Sequence, residues 1–217
     1  MITTDGLPVT RWREPRDLRA VLDLPPAGVL IGADREQAPV ALPALGPRPT
    51  RLGVLGDHRI ATLLAYRLLG VGCRLRVATA DPSRWRRLLV AAGDRAMVGA
   101  GAANWPPAAR RGAPEEAHLL VTDLPAPPPR TLGNRPLCTI VHVATAVPHG
   151  SPFWADVDGV VLAGRGYGTP LTQLLGRPDA VALDQLGPGQ LGVLDRTRAV
   201  VVTPILAEAE LALLTEG

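Results

Sequence analysis

The sequence predicts a three-layer α/β fold, Rossmann-like, with a mostly parallel sheet and a β-hairpin near each end. Three observations carry this. From position 51, strand, helix, strand, helix and strand patterns follow one another within about 50 residues, an order that sets parallel strands side by side with crossover helices between them. Two later runs, HLLVTDLP (118–125) and PLCTIVHVATAV (136–147), read as buried strands. Paired short apolar runs around polar turns, at 27–45 and 189–204, read as hairpins.

The chain has 217 residues, 47% of them hydrophobic, enough to build a full core in one large domain. Aromatic residues make up only 3%, so that core is mostly Val, Leu and Ala. Residues 1–24 are polar and broken by Pro8 and Pro15; they read as an N-terminal arm with one helical turn at 16–22. The remainder, 25–217, reads as a single α/β domain. Its opening hairpin (25–50) consists of AGVLIGAD, the turn REQ and APVALPAL, closed by the breaker GPRP.

The core (51–204) begins with RLGVLG, a short buried strand bounded by glycine. A helix follows over 58–69. Ile60, Ala61, Leu63, Leu64, Ala65, Leu68 and Leu69 give it the wide apolar face of a helix laid on a sheet. Gly70 and Gly72 stop it. CRLRVATA (73–80) is the next strand. Asp81 then caps a new helix with Pro82 at its first position, and that helix runs to Ala92 and stops at Gly93. Met97 and Val98 mark a short third strand, and 100–116 is a proline-rich loop. Beyond 118–125, APPPR (126–130) is a rigid, extended connection. DGVVLAG (158–164) is a strand, GTPLTQLLG (168–176) a short helix, and the terminal hairpin turns at 195–198. Residues 205–217 form a C-terminal helix.

Net charge is +3, and every basic residue is Arg. The densest basic spots are Arg84, Arg86 and Arg87 and the pair Arg110 and Arg111; they lack interleaved aromatics and read as solvated surface. A nucleic-acid partner is therefore not expected. Cys73 and Cys138 sit in apolar, strand-like runs and read as small core residues in a reducing compartment. The first residues lack the apolar stretch of a signal peptide, and no run of about 18 apolar residues occurs. The expectation is a cytoplasmic chain without direct membrane insertion, held at the membrane face only through partners.

The candidate chemistry centres on 51–81. A P-loop needs a lysine for phosphate charge, and this chain has none. HLLVTD resembles the strand that presents a magnesium-binding acid, but without the loop Asp123 reads as a turn residue or cap. The dinucleotide fingerprint G-x-G-x-x-G/A aligns with Gly56, His58 and Ala61. The imidazole stands where a second glycine lets the backbone approach the pyrophosphate. Asp81 lies 20 residues beyond Ala61, where an acid would hold a ribose hydroxyl. If a nucleotide binds, these four residues are its cofactor site.

Elsewhere the patterns favour structure. No two of His58, His118, His142 and His149 stand four apart, and His142 reads as a core histidine. Ser83 and Ser151 are the only serines, and neither lies in G-x-S-x-G. Cys138 and His142 are too far apart along one strand for a nucleophile and its base. Asp156 and Asp158 lack a third metal ligand. The expectation is no catalytic residue, no metal, no cofactor, and a chain that is not an enzyme.

One resemblance bears on partners. LPPAGVLIGADREQAPVALPAL and the segment from RLGVLGDHRIATLLAYRLLG to VAAG resemble the C-terminal cytosolic region of the EccE family, components of the type VII (ESX) secretion machinery of actinobacteria. The matched features are 24–32, 39–43, Gly56 with Asp57, Arg67 and 72–77, about a third of the chain. The positions Gly32, Asp34, Pro39 and 187–190 also faintly resemble FtsK- and TraG-type motor ATPases. EccE proteins carry transmembrane helices before this region, and this chain shows none. The resemblance implies a non-catalytic scaffold whose partners are other secretion-complex subunits, with a homo-oligomer also allowed. The alternative is a small-molecule or nucleotide-binding Rossmann protein with an atypical phosphate loop.

Overall fold

The computed structural model describes residues 28–102, 105–108 and 115–215. The arm expected over 1–24, and Arg110 with Arg111, lie outside these residues. The opening hairpin is β1 (Gly28–Ala33) and β2 (Pro39–Pro43). The core follows as β3 (Thr50–Leu55), α1 (His58–Gly70), β4 (Arg74–Ala78), α2 (Arg86–Ala92), β5 (Ala96–Gly99), β6 (His118–Thr122), β7 (Cys138–Ala144), β8 (Gly159–Leu162) and α3 (Gly168–Leu175). The closing hairpin is β9 (Leu191–Asp195) and β10 (Ala199–Pro204), and α4 (Glu208–Leu214) ends the described chain.

All ten strands join one sheet in the order β2-β1-β10-β9-β8-β3-β7-β6-β4-β5. The block from β8 to β5 is parallel. The two hairpins continue the sheet beyond β8 in antiparallel fashion, because β1 pairs with β10. The three-layer α/β architecture is thus the one the sequence predicts. Its strand order is not the dinucleotide order 3-2-1-4-5-6, in which the second strand lies beside the first. Here β7 and β6 stand between β3 and β4.

Strand alternation divides the core. Leu52, Val54, Leu75, Val77, Leu119 and Val121 meet Leu64, Leu68, Trp85 and Leu88 on the α1 and α2 side. Leu55, Leu120, Ile140, Val160 and Leu162 meet Phe153, Trp154, Leu171 and Leu183 on the α3 side. Trp154 lies against Gly53, where an added Cβ would come 2.4 Å from the indole.

Two segments depart from the sequence reading. The helix expected over 82–92 is split into a 3-10 turn, Pro82–Trp85, and α2. The split falls at Trp85, which is buried and donates its indole N–H to Asp123 Oδ2 at 3.0 Å. Residues Pro178–Gln185, given no element from sequence, form 3-10 turns that bury Ala180 and Leu183. Their apolar residues follow no helical period that would have shown them.

Candidate functional site

The carboxyl ends of the parallel strands share one edge of the sheet, where open α/β folds place their ligands. The β3–α1 connection on this edge is only Gly56 and Asp57. Gly56 has φ +97, and a Cβ there would stand 2.2 Å from the Ala163 carbonyl oxygen, so only glycine fits between β3 and β8. Its N–H donates to Ala144 O at 3.0 Å.

Asp57 caps α1. Its carboxylate accepts from the Arg59 backbone N–H at 2.9 Å, from Arg59 Nε at 2.7 Å and from the Arg59 guanidinium NH2 at 2.6 Å. Burial pushes the Asp57 carboxyl up, but the hydrogen bonds from Arg59 and its positive charge outweigh burial and hold it below the usual carboxylate range. The positive end of the helix, where a bound phosphate would sit, is therefore met by the chain's own carboxylate. His58 lies edge-on to Trp85, with ring centroids 6.5 Å apart. Ala61 is fully buried under the helix.

Gly56, His58 and Ala61 thus share one turn and helix, while Asp81 stands apart. It follows β4, three strand spacings or about 14 Å from β3 across the sheet. Its carboxylate accepts from Ser83 N at 3.1 Å and Ser83 Oγ at 2.5 Å and pairs with Arg84 at 3.2 Å. The Ser83 hydrogen bond leads the interactions that lower its pKa. The sequence spacing of an acid 20 residues on places it beside the fingerprint only when the second strand neighbours the first, and here it does not.

The other singled-out residues are bound into structure. His142, buried in β7, accepts the Trp154 indole N–H on Nδ1 at 2.8 Å, and its Nε2 stands 3.0 Å from Leu124 O, which fixes a neutral tautomer with the proton on Nε2. Asp156 pairs with Arg130 at 3.0 Å, and Asp158 with Arg196 at 2.8 Å. Asp158 also accepts the Arg51 backbone N–H at 2.7 Å.

Beside the capped end of α1 lies a feature that the sequence reading did not find: a cavity of about 670 Å³. Its walls come from Arg59 and Ile60 of α1, Gly164 and Arg165 after β8, the 187–190 turn, Leu206, and Leu214 of α4. The GPGQ turn was its one visible signal. Ile60, Leu206 and Leu214 meet only after the closing hairpin returns the chain across the sheet.

No protein-family model and no curated protein matches the sequence. Among solved structures, the chain is similar to the pCW3 conjugation coupling protein TcpA, in its monomer form with ATPγS, at TM-score 0.53 and 10% identity. That match covers 82% of this chain and 65% of the coupling protein. It is also similar to the genome packaging NTPase B204 from Sulfolobus turreted icosahedral virus 2, in complex with ATPγS, at TM-score 0.51 and 9% identity, covering 73% of this chain and 98% of that one. The cytoplasmic domain of the Thermomonospora curvata type VII secretion ATPase EccC aligns at TM-score 0.47 and 15% identity, covering 88% of this chain and 31% of that one.

These comparisons show the fold, and they correct one expectation. The sequence reading took the chain not to be an enzyme. Two of the solved chains that share its fold are an NTPase and a coupling protein, both seen with ATPγS. Each of those proteins was solved with a nucleotide analogue, and against that finding the non-enzyme reading does not stand. Among the described residues, no helix is long and apolar enough to cross a membrane.

Proposed function

We propose that this chain is an interaction domain of a type VII secretion complex, built on the frame of nucleotide-handling translocation proteins. The observation that supports it best is the Asp57–Arg59 closure of α1: the turn that would receive a phosphate is filled from within. The resemblance of 24–99 to EccE cytosolic regions supplies the secretion context and names other secretion-complex subunits as partners. The test is co-purification of the full chain with the neighbouring secretion components at near-physiological salt. Recovery of at least one component is expected, and recovery of none overturns the reading.

A second reading is favoured by one observation, the cavity of about 670 Å³ beside α1. In it the chain binds a small molecule at the strand edge. Thermal-shift measurement against a panel of nucleotides and small organic acids tests this; a shift of several degrees with any of them supports it, and none overturns it.

A further inference from the structure

We propose that the cavity between α1, the 187–190 turn and α4 is a site for a small monoanionic amphiphile, a carboxylic acid with an aliphatic body. This rests on the second reading above and names its ligand class.

The volume, about 670 Å³, falls within the size range of small-molecule sites. The wall is largely apolar, formed by Ile60, Leu186, Leu191, Leu206 and Leu214. Two side chains that line the same space keep N–H groups with no acceptor among the described residues. Arg165 donates its Nε–H to Leu186 O at 2.6 Å, which steers the guanidinium, and among the described residues no carboxylate pairs with it. Gln190 spends its side-chain oxygen on the Gly187 N–H at 2.8 Å, which leaves its amide nitrogen without an acceptor among the described residues.

A carboxylate has the geometry to accept from a guanidinium and an amide together. An aliphatic body removes the leucine wall from water. A phosphate is disfavoured: Asp57 lines the same cavity, and Arg59 is already committed to it. A dianion brought near that carboxylate meets repulsion that a monoanion bound at Arg165 meets less.

The experiment uses the full 217-residue chain with decanoate, decanol and ATP as separate probes, read by calorimetry and thermal shift. Decanoate is expected to bind and to raise the melting temperature, with decanol about tenfold weaker, as a charge-assisted bond to Arg165 requires. Arg165→Gln is expected to remove that tenfold preference and leave decanol binding unchanged. Leu206→Asp, checked for folding by circular dichroism, is expected to weaken both. Equal binding of decanoate and decanol, or an Arg165→Gln variant with an unchanged preference, overturns the proposal. ATP that binds and displaces decanoate overturns it too while sparing the second reading. No binding of decanoate overturns the proposal, while the second reading falls only if the wider panel of nucleotides and small organic acids also gives no shift.

Discussion

Arg67 of α1 and Glu210 of α4 meet face to face, Nε to Oε1 at 2.6 Å and NH2 to Oε2 at 2.8 Å. Both side chains are largely withdrawn from water, at 14% and 10% exposure. The same guanidinium donates to the carbonyls of Leu30 in β1 and Ile205 before α4. One arginine thus ties the opening hairpin, the first core helix and the C-terminal helix together. The pair is expected to matter through what remains when one partner is lost. Glu210→Ala leaves a buried guanidinium without its charge partner, a loss of about 3 kcal/mol by analogy with other buried pairs. Chemical denaturation checks this, with Arg86→Ala as an exposed control.

The pair also sets a pH dependence. The hydrogen bonds from Arg67 lead the interactions that lower the Glu210 pKa below 4.5. Its contribution is therefore fully present above the unfolded value and is lost as the pH falls through the lowered native value. Acid titration of stability is expected to show this loss in the native chain and a shallower one in Glu210→Gln.

His142 works in the same direction at higher pH. Burial lowers its pKa below 6.5, against the smaller opposing effects of the Leu124 carbonyl and Asp123. The unfolded chain then takes up a proton before the native one, so stability falls as the pH drops below about 6.5. Trp154→Phe leaves Nδ1 without its donor and is expected to cost about 1–3 kcal/mol. His142→Leu is expected to flatten the neutral-to-acid limb, as read from equilibrium unfolding between pH 5 and pH 8.

Two glycines separate backbone strain from crowding. Gly72 has φ +92 with open space around it, so Gly72→Ala is expected to cost only about 1–2 kcal/mol for the left-handed conformation. Gly56 has φ +97 and a carbonyl 2.2 Å from any Cβ. Gly56→Ala is expected to cost distinctly more, because β8 has to move. The difference between their melting temperatures is the measurement.

Asp57 is the variant that tests the closed turn. Asp57→Asn keeps a capping oxygen, so stability is expected to change by less than about 1 kcal/mol. It removes the negative charge and frees Arg59, and the helix end becomes an anion site. A thermal shift with sulfate is expected in Asp57→Asn and not in the native chain. Sulfate that stabilises the native chain equally overturns the closure argument.

Much of the fold was legible because its signals are local. Gly56 before α1, Asp57 at its cap and the apolar stripe through Leu64 and Leu68 each act within a few residues, and the predicted helix over 58–69 is observed as His58–Gly70. The hairpins at 27–45 and 189–204 were visible for the same reason. The split at Trp85 was not, because it accompanies a hydrogen bond to Asp123, 38 residues away. Asp81 shows the limit of spacing as evidence. Its distance along the chain suits a ribose contact, while the insertion of β6 and β7 carries it across the sheet.

What the sequence determined by itself is the alternation of strands and helices, the glycine turns, and the lack of any lysine for a phosphate loop. These follow from periodicity, backbone freedom and composition, which need no knowledge of neighbours. The tertiary structure alone decided the strand order, the Arg67 tie to Glu210, the pairing of His142 with Trp154, and the cavity where Ile60, Leu206 and Leu214 converge. Each depends on which distant segments the sheet brings together. Burial energy rewards many such pairings nearly equally, so the pattern of one chain segment does not say which other segment it will meet.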